Sequence, residues 1–268
     1  MTAERSLIYA SATDRGLIRT TNQDTLFAGS IAGMTGIAPE APLTLLLVAD
    51  GMGGYQGGDV ASALAVSEFS RGLSICSDSW PAPDNSEAWL ELLSNLVHRA
   101  NTAILEAQEK SEFHSMGTTL TAAVECSGRL HLAHVGDSRL YHYANGHLYQ
   151  ATSDHSLVGE LLRRGQLTEA EARVHPQRNV MSQALGAAWH ITIETRSMEL
   201  SLDSRILLCS DGLSNMLSDA EIAEVLGRAE EPERQVGEFI DRANRHGGKD
   251  NVSVIIACYQ RSEEGIER

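Results

Sequence analysis

The sequence predicts an α+β protein, because its strand patterns are gathered in runs and do not alternate one by one with helices. Three short segments are apolar throughout, which is typical of strands covered on both faces. They are Leu43–Ala49, Ile206–Cys209 and Val252–Ala257. A further run of strand-like segments comprises Met116–Cys126, Arg129–Val135, Arg139–Tyr143 and Ile191–Leu200. We expect Arg129–Val135 and Arg139–Tyr143 to form a hairpin around Gly136-Asp137-Ser138.

Helical patterns lie between these strands. The first amphipathic stripe consists of Val60, Leu64, Phe69 and Leu73. The second consists of Trp89, Leu92, Leu93, Leu96, Val97, Ala100 and Ile104, and we expect it in the core. Asp84 with Glu87, and Ser218 with Glu221, match the capping box of a helix start. A further helix is predicted after Pro232.

Residues 154–185 stand apart from the rest of the chain. They carry two short helical patterns, around Val158–Arg164 and Thr168–Arg173, followed by His175-Pro176. We interpret this segment as a mobile insertion beside the sheet and call it the flap. No internal repeat or long linker is visible. We therefore predict one domain over residues 1–260, followed by a charged, disordered tail at 261–268.

The composition excludes several classes of function. Of 268 residues, 42% are hydrophobic and 5% aromatic, which is typical of a soluble globular protein. The formal net charge of −15 argues against a nucleic-acid partner and against docking on an anionic membrane. No apolar run approaches the ~20 residues that span a membrane, and no secretory signal is visible. Four scattered cysteines without a C-x-x-C pair fit reduced thiols in the cytoplasm.

Short acidic motifs at the ends of apolar runs are the strongest functional signal. They are Asn22-Gln23-Asp24, Asp50-Gly51-Met52-Gly53-Gly54, Gly136-Asp137-Ser138-Arg139, Ser210-Asp211-Gly212 and Asp250-Asn251. Taken alone, an Asp-Gly pair is most simply a turn in which glycine supplies a positive φ. If the strands share one core, however, the aspartates converge, and several carboxylates in one place need cations between them. The negative net charge is explained either by such a site or simply by solubility.

Hard divalent cations such as Mg²⁺ and Mn²⁺ prefer oxygen ligands, which these motifs supply. Two such ions about 3.5–4 Å apart bridge one hydroxide, a nucleophile for in-line displacement at phosphorus. The glycines after Asp50 would let a backbone carbonyl such as that of Gly51 approach a cation. The sequence has no zinc-protease helix motif, nucleophile elbow, phosphate-binding loop or dinucleotide fingerprint. Catalysis by a nucleophilic side chain therefore lacks support.

Arg19 lies five residues before Asp24. If Asp24 faces a metal cluster, Arg19 is within reach of a substrate phosphate, whose oxygens a guanidinium binds two at a time. The alternative is a solvated surface arginine. Arg139 is interpreted as a structural partner that orients Asp137. His134, inside a strand pattern, is expected to be hydrogen-bonded within the sheet.

In this order, the motifs resemble those of the PPM, or protein phosphatase 2C, class of metal-dependent Ser/Thr phosphatases, in its short soluble bacterial form. The resemblance extends from about Ile8 to Tyr259 and includes Gly117-Thr118-Thr119 and Gly248-Lys249-Asp250-Asn251. It implies a four-layer α-β-β-α sandwich, with two central antiparallel sheets flanked by helices and a flap at 154–185.

The resemblance also implies two Mn²⁺ or Mg²⁺ ions. By this analogy Asp50 bridges both ions and the carbonyl of Gly51 binds one of them. Asp211 and Asp250 complete the other ion's ligands.

Further roles follow from the same analogy. Asp24 would hold metal-bound water or bind a metal directly. Asp137, with Asp211, matches a third, weaker metal site, and Asn179 in the flap is expected near it. Arg19 would bind the phosphate, so that Arg19, Asp24 and Asp50 form the catalytic set.

Two departures from the family pattern stand out. Many members have glutamate where this chain has Gln23, although the adjacent Asp24 keeps one carboxylate there. Several eukaryotic members have histidine where this chain has Met52, which cannot protonate a leaving group. We therefore expect the reaction to depend more strongly on leaving-group pKa than in a histidine-bearing relative.

The predicted function is hydrolysis of phosphoserine and phosphothreonine in proteins, reversing a bacterial Ser/Thr kinase. Two alternatives are a non-catalytic, phosphoprotein-binding regulatory module of the same fold and a phosphatase that regulates stress responses. The expected partners are phosphorylated proteins and a cognate kinase, with neither nucleic acid nor membrane, and the chain is expected to be a cytoplasmic monomer.

Overall fold

The computed structural model describes residues 7–31, 43–52, 57–110 and 115–260. Its strands are β1 Leu7–Asp14, β2 Asp24–Ile31, β3 Leu43–Met52, β4 Gly117–Thr118, β5 Leu120–Cys126, β6 Arg129–Val135, β7 Arg139–Ala144, β8 His147–Gln150, β9 Glu194–Glu199, β10 Arg205–Cys209 and β11 Val252–Tyr259. Its helices are α1 Gly58–Ile75, α2 Ser86–Lys110, α3 Leu157–Arg163, α4 Glu169–Val174, α5 Asp211–Ser214, α6 Asp219–Leu226 and α7 Pro232–Arg245, with a 3₁₀ turn at Ser77–Ser79.

The strands form two antiparallel sheets. One runs in the order β1-β11-β10-β7-β8, and the other in the order β2-β3-β5-β6-β9, with the short β4 also paired to β3. The first sheet contains both the first and the last strand of the described chain. The second is built mainly from consecutive strands of the middle of the chain.

Side-chain alternation on the central strands creates the layers. On β3, Leu45 and Leu47 pack toward α1 and α2, whereas Leu46 and Val48 pack toward the other sheet. On β11, Val252, Val254 and Ile256 face α5, α6 and α7, whereas Ile255 faces the opposite sheet. Because both faces of these strands are covered, their sequences are apolar throughout. The predicted α+β sandwich and the predicted buried strands are confirmed.

The helices agree with the sequence patterns with two exceptions. Ser218 and Glu221 form the predicted capping box of α6. At α2, however, the Asn85 side chain accepts from the Ala88 N–H, so the cap is not the predicted Asp84. Val60 is 41% exposed and does not belong to the buried face of α1.

The predicted hairpin around Gly136-Asp137-Ser138 is wrong. β6 pairs with β5 and β9 in one sheet, whereas β7 pairs with β10 and β8 in the other. The turn is therefore a crossover between sheets. The pattern of two strands and a short turn is the same for a hairpin and for such a crossover, so the sequence could not distinguish them.

The flap contains α3 and α4, as the two short helical patterns predicted. Backbone hydrogen bonds hold both of its ends: the N–H of His155 donates to the Gly136 carbonyl, and Leu185 pairs with Thr118. The predicted tail at 261–268 lies outside the described residues. None of the helices in the described part of the chain has the length and apolar character of a membrane span.

Candidate active site

Two aspartates meet where β2 begins and β3 ends. Asp24 is the first residue of β2 and lies directly opposite Asp50 on β3. The next residue, Gly51, donates its N–H to the Gln23 carbonyl, and a Cβ there would lie 2.1 Å from the carbonyl oxygen of Gly58. Only glycine fits this contact, which holds Asp50 between β2 and the start of α1.

A second pair forms where β10 ends and β11 begins. Asp211 opens α5 directly after β10, and Asp250 precedes β11, the antiparallel neighbour of β10. A Cβ on Gly212 would lie 1.9 Å from the carbonyl oxygen of Asn251. Neither Gly51 nor Gly212 has a positive φ, so the turn interpretation of these Asp-Gly pairs is wrong. Both glycines are there because backbone passes too close for a side chain.

Asp137 reaches the site from the crossover between the sheets. Gly136 has a φ of 118°, and a Cβ there would lie 2.6 Å from the Thr119 side chain. Here glycine is required both by its conformation and by lack of space. The carboxylate that follows is thereby brought from the end of β6 to the edge where the sheets meet.

These segments surround one cavity of about 720 Å³. The predicted site residues that line it are Arg19, Asp50, Gly51, Asp137, Asp211 and Asp250. Asp24 is buried, with 9% of its surface exposed, and its charge interacts with those of Asp50, Asp211 and Asp250. We call Asp24, Asp50, Asp137, Asp211 and Asp250 the carboxylate cluster.

Burial and mutual repulsion act on the carboxylate cluster in the same direction. Burial is the largest cause of a raised pKa at Asp24, Asp50, Asp137 and Asp211. The neighbouring carboxylates raise these pKa values further. The pKa of Asp24 rises to about 7 and that of Asp137 to about 8. Ionised carboxylates this close together repel one another, so the ionised cluster is stable only if positive charge lies among them.

Carboxylate oxygens without hydrogen-bond partners also indicate that positive charge belongs in the cluster. Among the described residues, both carboxylate oxygens of Asp24 and Oδ1 of Asp211 are buried without a hydrogen bond of normal geometry. The nearby hydroxyls of Ser210 and Ser253 only partly offset the burial of Asp24. Buried polar oxygens normally have partners. An all-oxygen donor set of this charge suits hard divalent cations, so the residues present fit the predicted Mn²⁺ or Mg²⁺ ions.

Arg19 lies at the mouth of the cavity. Its Nη2 donates to Oδ2 of Asp250 at 2.6 Å, while 55% of its side chain remains exposed. The loop that carries it is fixed by Asn251, whose amide donates to the carbonyls of Arg15 and Thr21 and accepts from the N–H of Gln23. Asn251 belongs to one of the sequence motifs, but only the structure shows that it positions the loop that carries Arg19.

Two threonines fix the backbone of Asp50. The hydroxyl of Thr119 accepts from the Asp50 N–H at 2.9 Å and lies 2.8 Å from the hydroxyl of Ser138, next to Asp137. Thr118 donates its hydroxyl to the Asp50 carbonyl. This network connects the backbone of Asp50 on β3 to Ser138 in the crossover, and so links two segments that each carry a carboxylate of the cluster. The Thr-Thr pair before a strand is visible in the sequence, but the hydrogen-bond partners of these two threonines are not.

Arg139 does not pair with Asp137, which corrects our interpretation of that residue. Its guanidinium forms a two-point ion pair with Asp154, at 2.9 and 2.7 Å, and also donates to the Tyr141 hydroxyl. The Arg139 and Asp154 side chains are 21% and 16% exposed. The first residue of the flap is therefore held by a largely buried charge pair.

His134, His155 and Glu194 come close enough together to suggest a second metal site. Both ring nitrogens of His134 are occupied, Nδ1 with the Thr121 hydroxyl and Nε2 with the Gly136 carbonyl. The N–H of Gly136 donates to Nδ1 of His155. Burial lowers the pKa of His134 to about 3, so the ring is neutral. We interpret the group as a hydrogen-bonded brace of the turn before Asp137, which confirms the prediction for His134.

Met52 and Asn179 both line the cavity beside the carboxylate cluster. The Gln23 side chain lies against Gly58, where an added Cβ would approach its amide at 2.9 Å. Met52 has no acidic proton, so the leaving-group acid is absent at this position, as the sequence indicated.

Comparison with known proteins agrees with this architecture. The model of the Protein phosphatase 2C family matches residues 20–246. The Ser/Thr phosphatase stp of Listeria innocua is 36% identical over 259 residues, covering 94% of this chain and 96% of that protein.

Solved structures of bacterial phosphatases are also similar to this chain. The Ser/Thr phosphatase of S. agalactiae superposes with a TM-score of 0.83 at 32% identity, covering 95% of this chain and all of that one. The catalytic domain of the phosphatase PstP, solved in complex with two manganese ions, gives a TM-score of 0.79 at 36% identity, covering 95% and 99%. The chain belongs to the protein phosphatase 2C family, and the predicted resemblance is confirmed.

Proposed function

We propose that this protein is a Mn²⁺- or Mg²⁺-dependent phosphatase that removes phosphate from serine and threonine side chains of proteins. The observation that carries the proposal is the convergence of five carboxylates from both sheets beside an exposed arginine. The names of the relatives and the manganese ions of the PstP structure support it.

The cation ligands follow from the donor set. We assign Asp50 to two ions, the carbonyl of Gly51 to one of them, and Asp211 and Asp250 to the other. Bound cations would lower the pKa of bound water and neutralise charge on the phosphate oxygens. The raised pKa values of Asp50 and Asp211, and the buried Oδ1 of Asp211 that lacks a hydrogen-bond partner among the described residues, support the assignment.

The remaining site residues complete the proposal. Asp24, opposite Asp50 on the neighbouring strand, is assigned either to a metal-bound water molecule or to a cation directly. Asp137, with Asp211, is assigned to a third, weaker cation position beside Asn179. Arg19 binds the phosphate, because its guanidinium is more than half exposed at the cavity mouth and has donors beyond the one used on Asp250.

We propose a cognate Ser/Thr kinase as the opposing enzyme and a cytoplasmic monomer as the working form. The reduced state of the four described cysteines fits this location. A purely regulatory, phosphoprotein-binding member would bind phosphopeptides without turning them over.

The test is hydrolysis of a phosphothreonine peptide with Mn²⁺ or Mg²⁺, before and after chelation by EDTA. We expect turnover that EDTA abolishes and that Asp50→Asn or Asp211→Asn lowers by about 10³-fold or more. Calorimetric Mn²⁺ titration should show weaker binding by both variants. Asp241→Asn, an exposed aspartate on α7, is the matched control and should keep full activity. EDTA-resistant turnover, or phosphopeptide binding without turnover, would overturn the proposal.

A further inference from the structure

A second cavity of about 500 Å³ lies between the flap and the carboxylate cluster. One wall is formed by α3, α4 and the chain after α4, and the other by residues of α5 and by Lys249. It shares Asp211, Asp250 and Asn179 with the first cavity. The two cavities are therefore adjacent at the carboxylate cluster, and we call the second one the flap groove.

The flap groove carries three cationic side chains with no ion pair among the described residues. Arg173 and Arg178 belong to the flap, Lys249 lies across from them, and all three are exposed. A fourth cation, Arg139, is already neutralised by Asp154. The groove thus offers positive charge beside the site of a protein whose net charge is −15.

The acidic residues of the flap groove have other tasks. Asp211 and Asp250 face the proposed cations. Glu169 and Asp219 lie in the first turns of α4 and α6, where a carboxylate interacts favourably with the helix dipole. Asp219 also accepts from the Tyr141 hydroxyl at 3.3 Å. Arg173, Arg178 and Lys249 have no comparable local partner in the part of the chain that the structure describes.

The first cavity differs in character. Its wall includes Ile18, Met52 and Met181, and Arg19 is the one basic residue among the described residues that line it. The two sides of the carboxylate cluster are therefore chemically unequal. One side is partly apolar, with a single basic residue among those described. The other side, the flap groove, carries three basic side chains that are unpaired among the described residues and that face Glu169 and Asp219 as well as the carboxylates of the cluster.

We propose that the flap groove selects phosphoproteins with an anionic group on one side only of the phosphoresidue. The anion is a carboxylate or a second phosphate, either of which an unpaired guanidinium binds. This inference rests on the proposed phosphatase function and adds the substrate class. Because the protein as a whole carries a net charge of −15, the three unpaired cations among the described residues of the groove provide a local attraction for an anionic flank, and this attraction provides the selectivity.

The test uses phosphothreonine peptides of equal length with neutral flanks, with glutamates on the N-terminal side, with glutamates on the C-terminal side, and with a second phosphate on either side. We expect one flank to raise kcat/KM by about three- to tenfold over the neutral peptide, mainly through KM, and added salt to reduce this preference. The same series shows which flank is preferred. It also shows whether the groove prefers a carboxylate or a phosphate.

A double variant, Arg173→Gln with Arg178→Gln, should bring the ratio of acidic to neutral peptide close to one. The matched control is Arg234→Gln with Arg245→Gln on α7, both exposed and outside the groove, which should keep the wild-type ratio. Equal kcat/KM for all peptides, or an unchanged ratio in the flap variant, would overturn the inference. Absence of any turnover, even of the neutral peptide, would instead overturn the proposed function.

Discussion

The carboxylate cluster and the flap are held in different ways. The cluster lies at strand ends in the interior, where backbone contacts exclude even a methyl group at Gly51 and Gly212. The flap is anchored at both ends, but its middle is open to solvent, and Val174 is 76% exposed. Catalytic groups need fixed positions, whereas a segment that contacts varied protein substrates does not. We infer that reaction and selectivity are located in separately supported parts of the molecule.

The largest effect is expected from a methyl group inside the cluster. Gly212→Ala places a Cβ 1.9 Å from the Asn251 carbonyl oxygen, so the backbone of α5 or of Asn251 must move. We expect kcat/KM on p-nitrophenyl phosphate to fall by about 100-fold or more and stability to fall by about 1–3 kcal/mol, measured by urea unfolding.

Gly237→Ala is the matched control for that change. Gly237 lies on α7, and a Cβ there has no neighbour within 4 Å. Alanine should stabilise the helix by about 0.5–1 kcal/mol without loss of activity. Near-normal activity of Gly212→Ala would show that the cluster tolerates movement and would remove the contrast with the flap.

A smaller effect on catalysis is expected at the flap anchor. Asp154→Asn leaves the largely buried guanidinium of Arg139 without its counter-charge. We expect a loss of about 1–3 kcal/mol in stability and of part of the peptide selectivity. Turnover of p-nitrophenyl phosphate, which is too small to reach the flap groove, should change little. If this turnover collapsed as in Gly212→Ala, the flap anchor would belong to the reaction centre.

The last expected effect concerns the leaving group and is limited to one class of substrate. Since Met52 lines the cavity but cannot donate a proton, alkyl phosphates should react much more slowly than aryl phosphates. Met52→His should raise the rate on alkyl phosphates by about tenfold and change the rate on aryl phosphates less. Similar wild-type rates on both substrate types would contradict this expectation.

Prediction from sequence succeeded where one short segment contains the whole signal. The apolar strands β3, β10 and β11, the capping box of α6 and the two helices of the flap are such cases. It failed at the crossover after β6, because pairing between distant strands is decided by the packing of both sheets. It also missed the partner of Arg139, because Asp137 lies two residues away in the sequence, whereas Asp154 reaches Arg139 only through the tertiary structure.

The candidate site shows the same division. Its aspartates, its arginine and its family could be named from the order of the motifs, because each motif is local and their order is specific. Their roles at the cations remain predictions.

By itself, the sequence determined the family, the candidate site residues and the segments that form the core. The tertiary structure alone decided how they meet: Arg19 contacts Asp250 across a separation of 231 residues. It also decided why Gly51 and Gly212 are glycines, and that Arg173, Arg178 and Lys249 share one groove. The physical reason is that local patterns record burial and backbone preference, whereas distances between remote side chains arise only when the layers pack.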